Sequence, residues 1–136
     1  MPVLFDTNVW IVLLKGRNPS ILKHWQQLAP EDLRVCSIVQ AELWHGAFKY
    51  GKPAERREVV DLWLAPYESM PFDALAADHY ATIRHGLEQR GEMIGPNDLK
   101  IAAICLAHDL TLVTGNVSEF SRVPGLRVED WSRQAR

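Results

Sequence analysis

Pro2-Val3-Leu4-Phe5-Asp6-Thr7-Asn8 decides how the rest of the chain is read. A short apolar run behind a Pro reads as a buried strand. The polar residues that follow are of the types that open helices, and Val9, Ile11, Val12, Leu13 and Leu14 continue as a helical pattern. Asp6 then ends a buried strand, which in an open α/β sheet is the edge where ligands bind. Taken alone, the stretch leaves two readings open: Asp6 caps a helix, or it belongs to a site.

The same alternation continues outward from it. Asn18-Pro19 supplies an N-cap and a first helical residue, and Ile21, Leu22, Trp25 and Leu28 recur at helical spacing. Leu33 to Cys36 reads as a second strand. Ser37-Ile38-Val39-Gln40 has the capping-box pattern, so Ser37 is expected to start a helix carrying Val39, Leu43, Ala47 and Tyr50 on one stripe. A helix from Pro53 is expected to bring Val59, Val60, Trp63 and Leu64 inward, with a weak strand near Tyr67 to Met70. Asp73 can cap a long helix through Ala76, Tyr80, Ile83 and Leu87, closed by Arg90-Gly91. Asn97 is expected to cap a helix over 98–108 that is apolar almost all round, hence buried. Thr111 to Thr114 reads as a strand, 117–120 as a short helix, and Leu126-Arg127-Val128 as a last strand. Strands alternating with helices predict an α/β fold: a parallel sheet of about five short strands with helices on both faces.

Bulk properties narrow the class. A chain of 136 residues is expected to be one domain, here 1–131, followed by a polar tail at 132–136. Hydrophobic content of 47% and charged content of 24% match a globular protein. A net charge of −2 and a pI of about 6.2 argue against a strongly basic nucleic-acid binder. No apolar run is long enough to span a membrane, so a cytoplasmic location is expected. Cys36 and Cys105 lack metal-ligand spacing and are expected to be buried thiols. The five histidines complete no metal site with them.

In such a sheet, the carboxyl ends of strands and the amino ends of the following helices share one edge. Asp6, Glu42, Asp98, Asn116 and Glu119 can all reach that edge, although they span more than 100 residues. Each has an ordinary role available: a solvated acid, a partner of the helix macrodipole, a turn residue. Their joint placement argues for more. Carboxylates gathered in a cleft repel one another and raise one another's pKa values. A divalent cation removes that cost, and all-oxygen ligands suit Mg²⁺ or Mn²⁺ rather than Zn²⁺.

Four blocks in this order resemble the PIN-domain ribonucleases, and more closely the VapC-type toxins of bacterial toxin–antitoxin pairs: Val3-Leu4-Phe5-Asp6-Thr7-Asn8, the lone Glu42, Ile94 through Ala103, and Leu112 through Phe120. The resemblance covers nearly the whole chain. It implies a PIN-like three-layer sandwich, a Mg²⁺-dependent endoribonuclease, and neutralisation by a cognate antitoxin. It further implies that Asp6, Glu42 and Asp98 form the acidic core, with Thr7 and Thr114 as hydroxyl positions. Many such proteins carry Asp where this chain has Asn116, a weaker and neutral ligand, so Glu119 is the other candidate for the fourth acid. Asp6 and Asp98 are expected to hold the ion, with Glu42, Asn116 and Glu119 as further ligands or water-orienting groups. Thr7 and Asn8 are expected to cap the first helix and hold Asp6 in place, with Thr114 in support. Lys100, Arg17 and Lys49 are the candidate phosphate contacts for an RNA substrate. A tRNA substrate and a homodimer are what the resemblance suggests. Trp10 and Trp44 lie near the acids in sequence but are better read as core. Two other readings compete: a non-catalytic PIN-like binding module, and a metal-dependent phosphatase. The second usually shows another Asp two residues after the first, where this chain has Asn8.

Overall fold

The computed structural model describes residues 1–133, so positions 134–136 of the expected tail lie outside the described residues. Strand and helix alternate as β1 (Val3–Phe5), α1 (Thr7–Lys15), α2 (Pro19–Gln26), β2 (Leu33–Cys36), α3 (Ser37–Gly46), α4 (Pro53–Leu64), β3 (Glu68–Met70), α5 (Ala74–Arg90), α6 (Pro96–Ala107), β4 (Thr111–Val113), α7 (Val117–Phe120) and β5 (Val128–Glu129). A 3-10 turn at Pro30–Asp32 leads into β2. Every strand pairing is parallel, in the order β3-β2-β1-β4-β5. Leu4, Phe5, Leu33, Val35, Leu112 and Val113 are buried whichever way they point from the sheet. That is why the central strands read as continuous apolar runs and not as alternations.

Strand order creates the functional edge. The chain builds outward from β1 through β2 to β3, then crosses back to β4 on the other side of β1. Right-handed crossovers lay helices over both faces of the sheet. α1 packs on α2 and α3, α3 on α4, and α5 on α6, while α3 also meets α6. The reversal of direction lies between β1 and β4, where open sheets bind ligands. Phe5 pairs with Val113, so Asp6 and Thr114 emerge side by side at that point.

The local signals act largely as expected. Asn18 Oδ1 accepts from the Ile21 N–H at 3.1 Å, with Pro19 in the first turn, and Asp73 Oδ1 accepts from the Ala76 N–H at 3.0 Å. Gly16 closes α1 at φ +63°, and its N–H and that of Arg17 reach back to the Leu13 and Val12 carbonyls. Leu99, Ile101, Ala102, Ala103, Ile104 and Cys105 of α6 are all buried against α5 and the sheet. Both cysteines are free and buried, and burial pushes the Cys36 thiol up to about 11. Trp10 is fully buried within 5.4 Å of the Phe5 ring and 5.9 Å of Tyr67. Trp44 is half-buried, lying 3.8 Å beneath Arg57 and donating to Asp61 at 2.7 Å. Among the described residues, no helix is long and apolar enough to cross a membrane.

Several expectations are corrected. Ser37 starts α3 as expected but forms no capping box: its oxygen accepts from the Phe72 N–H, and Gln40 accepts from Ser69, so both anchor the helix to the segment around β3. The α3 helix stops at Gly46, and Tyr50 is 62% exposed beneath the Arg56 guanidinium. On α4, Val60 and Leu64 are buried but Val59 is half exposed, because the inward stripe is narrow. Asn97 lies inside α6, whose N-cap is Gly95. The last strand is Val128–Glu129, because Leu112 pairs with Val128.

Candidate active site

Asp6 is the N-cap of α1, so the capping reading and the site reading both hold for one residue. Its Oδ1 accepts from the Val9 N–H at 2.9 Å, and its Oδ2 accepts from the Thr114 hydroxyl. The Thr114 oxygen in turn accepts from the Asn116 N–H at 3.0 Å. Thr7, expected to cap the helix, instead donates to Glu42 Oε1 at 2.6 Å and ties α1 to α3. Asn8 is exposed and the capping side chain is that of Asp6, so Asn8 does not cap the helix, but its backbone N–H does help hold the Asp6 carboxylate as expected.

Across the edge, Asp98 sits in the first turn of α6 and faces Glu119 of α7. Glu119 Oε1 accepts from the Gly95 N–H at 2.9 Å, and Oε2 accepts from the Asn116 side-chain amide. Gly95 is a site residue that the sequence pattern did not single out. The Gly95-Pro96 break just ahead of Asp98 was the available signal, because helix N-termini present free N–H groups.

The electrostatics unite these elements. Burial, then the Glu119 charge, push the Asp98 carboxyl up to about 7, with Glu42 and Asp6 adding in the same direction. Glu119 is held below the usual range, first by the Gly95 N–H. Burial raises the Asp6 carboxyl, against the hydrogen bond from Thr114, and the Glu42 charge raises it further. Asp98 therefore feels the charges of three acids from three other segments, and Asp6 feels that of Glu42.

Among the described residues, no three His, Cys, Asp or Glu side chains are already drawn together as an ion cage. The donor chemistry nonetheless fits a hard divalent cation. The site is oxygen only, and its acids carry a mutual repulsion that a cation would remove.

A groove of about 590 Å³ opens from Thr7, Glu42 and Asn97 along α1, α3 and α4. Ile11, Leu14, Leu43 and Val60 line it together with the basic side chains of Lys15, Lys49 and Arg56. Of the three expected phosphate contacts, Lys49 lines this groove. Arg17 and Lys100 do not, Lys100 being half-buried on α6.

Comparison with known proteins agrees with this geometry. The PIN domain family matches residues 3–126. Ribonuclease VapC2 of Rickettsia felis is 35% identical over 134 residues, covering 98% of this chain and 100% of its own. The tRNA(fMet)-specific endonuclease VapC of Shigella flexneri is 34% identical over 129 residues, covering 95% and 97%. The crystal structure of VapBC2 from Rickettsia felis, bound to a DNA fragment from their promoter, superposes with a TM-score of 0.89 at 35% identity, covering 96% of this chain and 99% of that one. With the acids of β1, α3, α6 and α7 at one sheet edge and a relative of this identity along its full length, the chain belongs to the PIN-domain family, among the VapC ribonucleases.

Proposed function

We propose that the chain is a Mg²⁺-dependent endoribonuclease, the toxin of a toxin–antitoxin pair, and that its substrate is tRNA. One observation carries the reading: Asp98 stands within electrostatic reach of Asp6, Glu42 and Glu119 at the switch point of the sheet, where Asp6 and Thr114 emerge side by side. Asp6, Asp98 and Glu119 would hold the ion, with Mn²⁺ as a substitute, and its chemistry there would be to polarise the phosphate and to make a water more acidic. The chain's own groups supply the rest. Val9 and Thr114 fix both oxygens of Asp6. Thr7 holds one Glu42 oxygen, leaving the other to orient the attacking water. Lys49 and Lys15 contact flanking phosphates along the groove.

The tRNA substrate is supported by the relative whose name specifies tRNA(fMet), and the antitoxin partner by the VapBC complexes. A homodimer and a cytoplasmic site of action complete the proposal. The test is cleavage of purified tRNA by the purified chain with Mg²⁺, Mn²⁺ or a chelator. Cleavage requires the ion and disappears in Asp6→Asn; a variant as fast as the parent would refute the assignment. In cells, expression alone arrests growth, and co-expression of the genomic neighbour relieves it.

A further inference from the structure

Asn116 opens the four-residue helix α7 with Glu119 three residues on, the spacing at which an N-cap and an N3 residue usually satisfy each other. Neither does so here. The Asn116 side chain accepts no N–H from α7, and its backbone N–H goes to the Thr114 oxygen. Glu119 turns away from the Asn116 backbone and takes the Gly95 N–H instead. The Asn116 amide donates to the other Glu119 oxygen. That orientation is chemically forced, because an ionised carboxylate only accepts. Both local caps are thus given up for contacts that reach α6 on one side and β1 on the other.

We propose that Asn116 is a positioning residue and not an ion ligand: its side-chain amide holds Glu119 against Gly95, and its backbone N–H holds the Thr114 hydroxyl that donates to Asp6. One neutral residue thereby sets the spacing between the Asp98–Glu119 pair and Asp6. This also accounts for Asn at a position where an acid would add charge. Asp there would lack the amide N–H that Asn116 donates to Glu119 and would set a second carboxyl against it.

The proposal rests on the metal-dependent reading of the site, so the test includes a measurement that needs no metal. The full chain and its Asn116→Ala and Asn116→Asp variants are compared by amide hydrogen exchange without metal, read at Gly95. Gly91, whose N–H closes α5 on the Glu88 carbonyl, serves as the control. Mn²⁺ affinity is then measured by electron paramagnetic resonance titration. Expected are exchange at Gly95 at least about ten-fold faster in both variants, unchanged exchange at Gly91, and Mn²⁺ binding about ten-fold weaker. Unchanged Gly95 exchange, equal acceleration at Gly91, or tighter Mn²⁺ binding by Asn116→Asp would each overturn it. If the parent binds no Mn²⁺, the metal reading fails, and the exchange data still decide the role of Asn116.

Discussion

Replacing Asp98 by Asn should make the metal-free protein more stable while removing its activity. The half-buried carboxyl of Asp98 is raised from 3.8 to about 7, by burial first and by Glu119 second. Such a rise penalises the ionised form in the folded state alone. The penalty is absent below about pH 4, grows as pH climbs towards 7, and is complete above that. Three units correspond nominally to about 4 kcal/mol. Partial exposure screens this to roughly 2 kcal/mol. The amino end of α6 favours the anion by about 0.5 kcal/mol, which leaves a net cost near 1.5 kcal/mol at pH 8. Asn carries no charge and can still donate to Glu119. Thermal unfolding in chelator should therefore show Asp98→Asn higher by about 3–5 °C at pH 8 and indistinguishable from the parent near pH 4. Mg²⁺ should raise the midpoint of the parent at pH 8 and leave the variant nearly unmoved. A variant equal to or less stable than the parent at pH 8 without metal would refute the coupled-acid account.

Thr7→Val removes the 2.6 Å donor to Glu42; a bond to a charged group is worth about 1.5–3 kcal/mol, so single-turnover cleavage should fall about ten-fold or more with the fold intact by circular dichroism. Thr114→Val removes a hydrogen bond that favours ionised Asp6; the Asp6 pKa rises further, and the acid limb of the pH–rate profile moves to higher pH. Gly16→Ala forces a Cβ into a left-handed turn at φ +63° and should cost about 1–2 kcal/mol by urea denaturation without changing turnover. Ile104→Ala empties part of the fully buried face of α6 and should cost about 2–5 kcal/mol.

Elements with local chemistry of their own were legible in the sequence. Asn18-Pro19 and Asp73 start helices through side chains a few residues from their partners, and β2 is a short apolar run set between the turn at Pro30–Asp32 and α3. The misread places are those settled by distant partners. Ser37 carries a capping pattern, yet the N–H it meets belongs to Phe72. The start of β5 is fixed by Leu112, and two residues at a sheet edge carry no period to read. The same division runs through the site. Which residues reach the edge follows from strand order, so Asp6, Glu42, Asp98 and Glu119 could be named in advance. Which atoms touch does not follow, because the Thr7–Glu42 and Gly95–Glu119 bonds join segments dozens of residues apart.

The central position of β1 has a consequence for synthesis. Its neighbour β4 lies more than 100 residues later, through the pairing of Val3 with Thr111. Chain closure over that distance is slow, and a growing chain folds from its amino end as it emerges. Asp6 is made 108 residues ahead of its partner Thr114, and the α6–α7 acids also come long after it. A nascent chain therefore holds a bare edge on β1 and no assembled site. The site therefore cannot assemble until the α6–α7 segment has been made and β4 has closed onto β1.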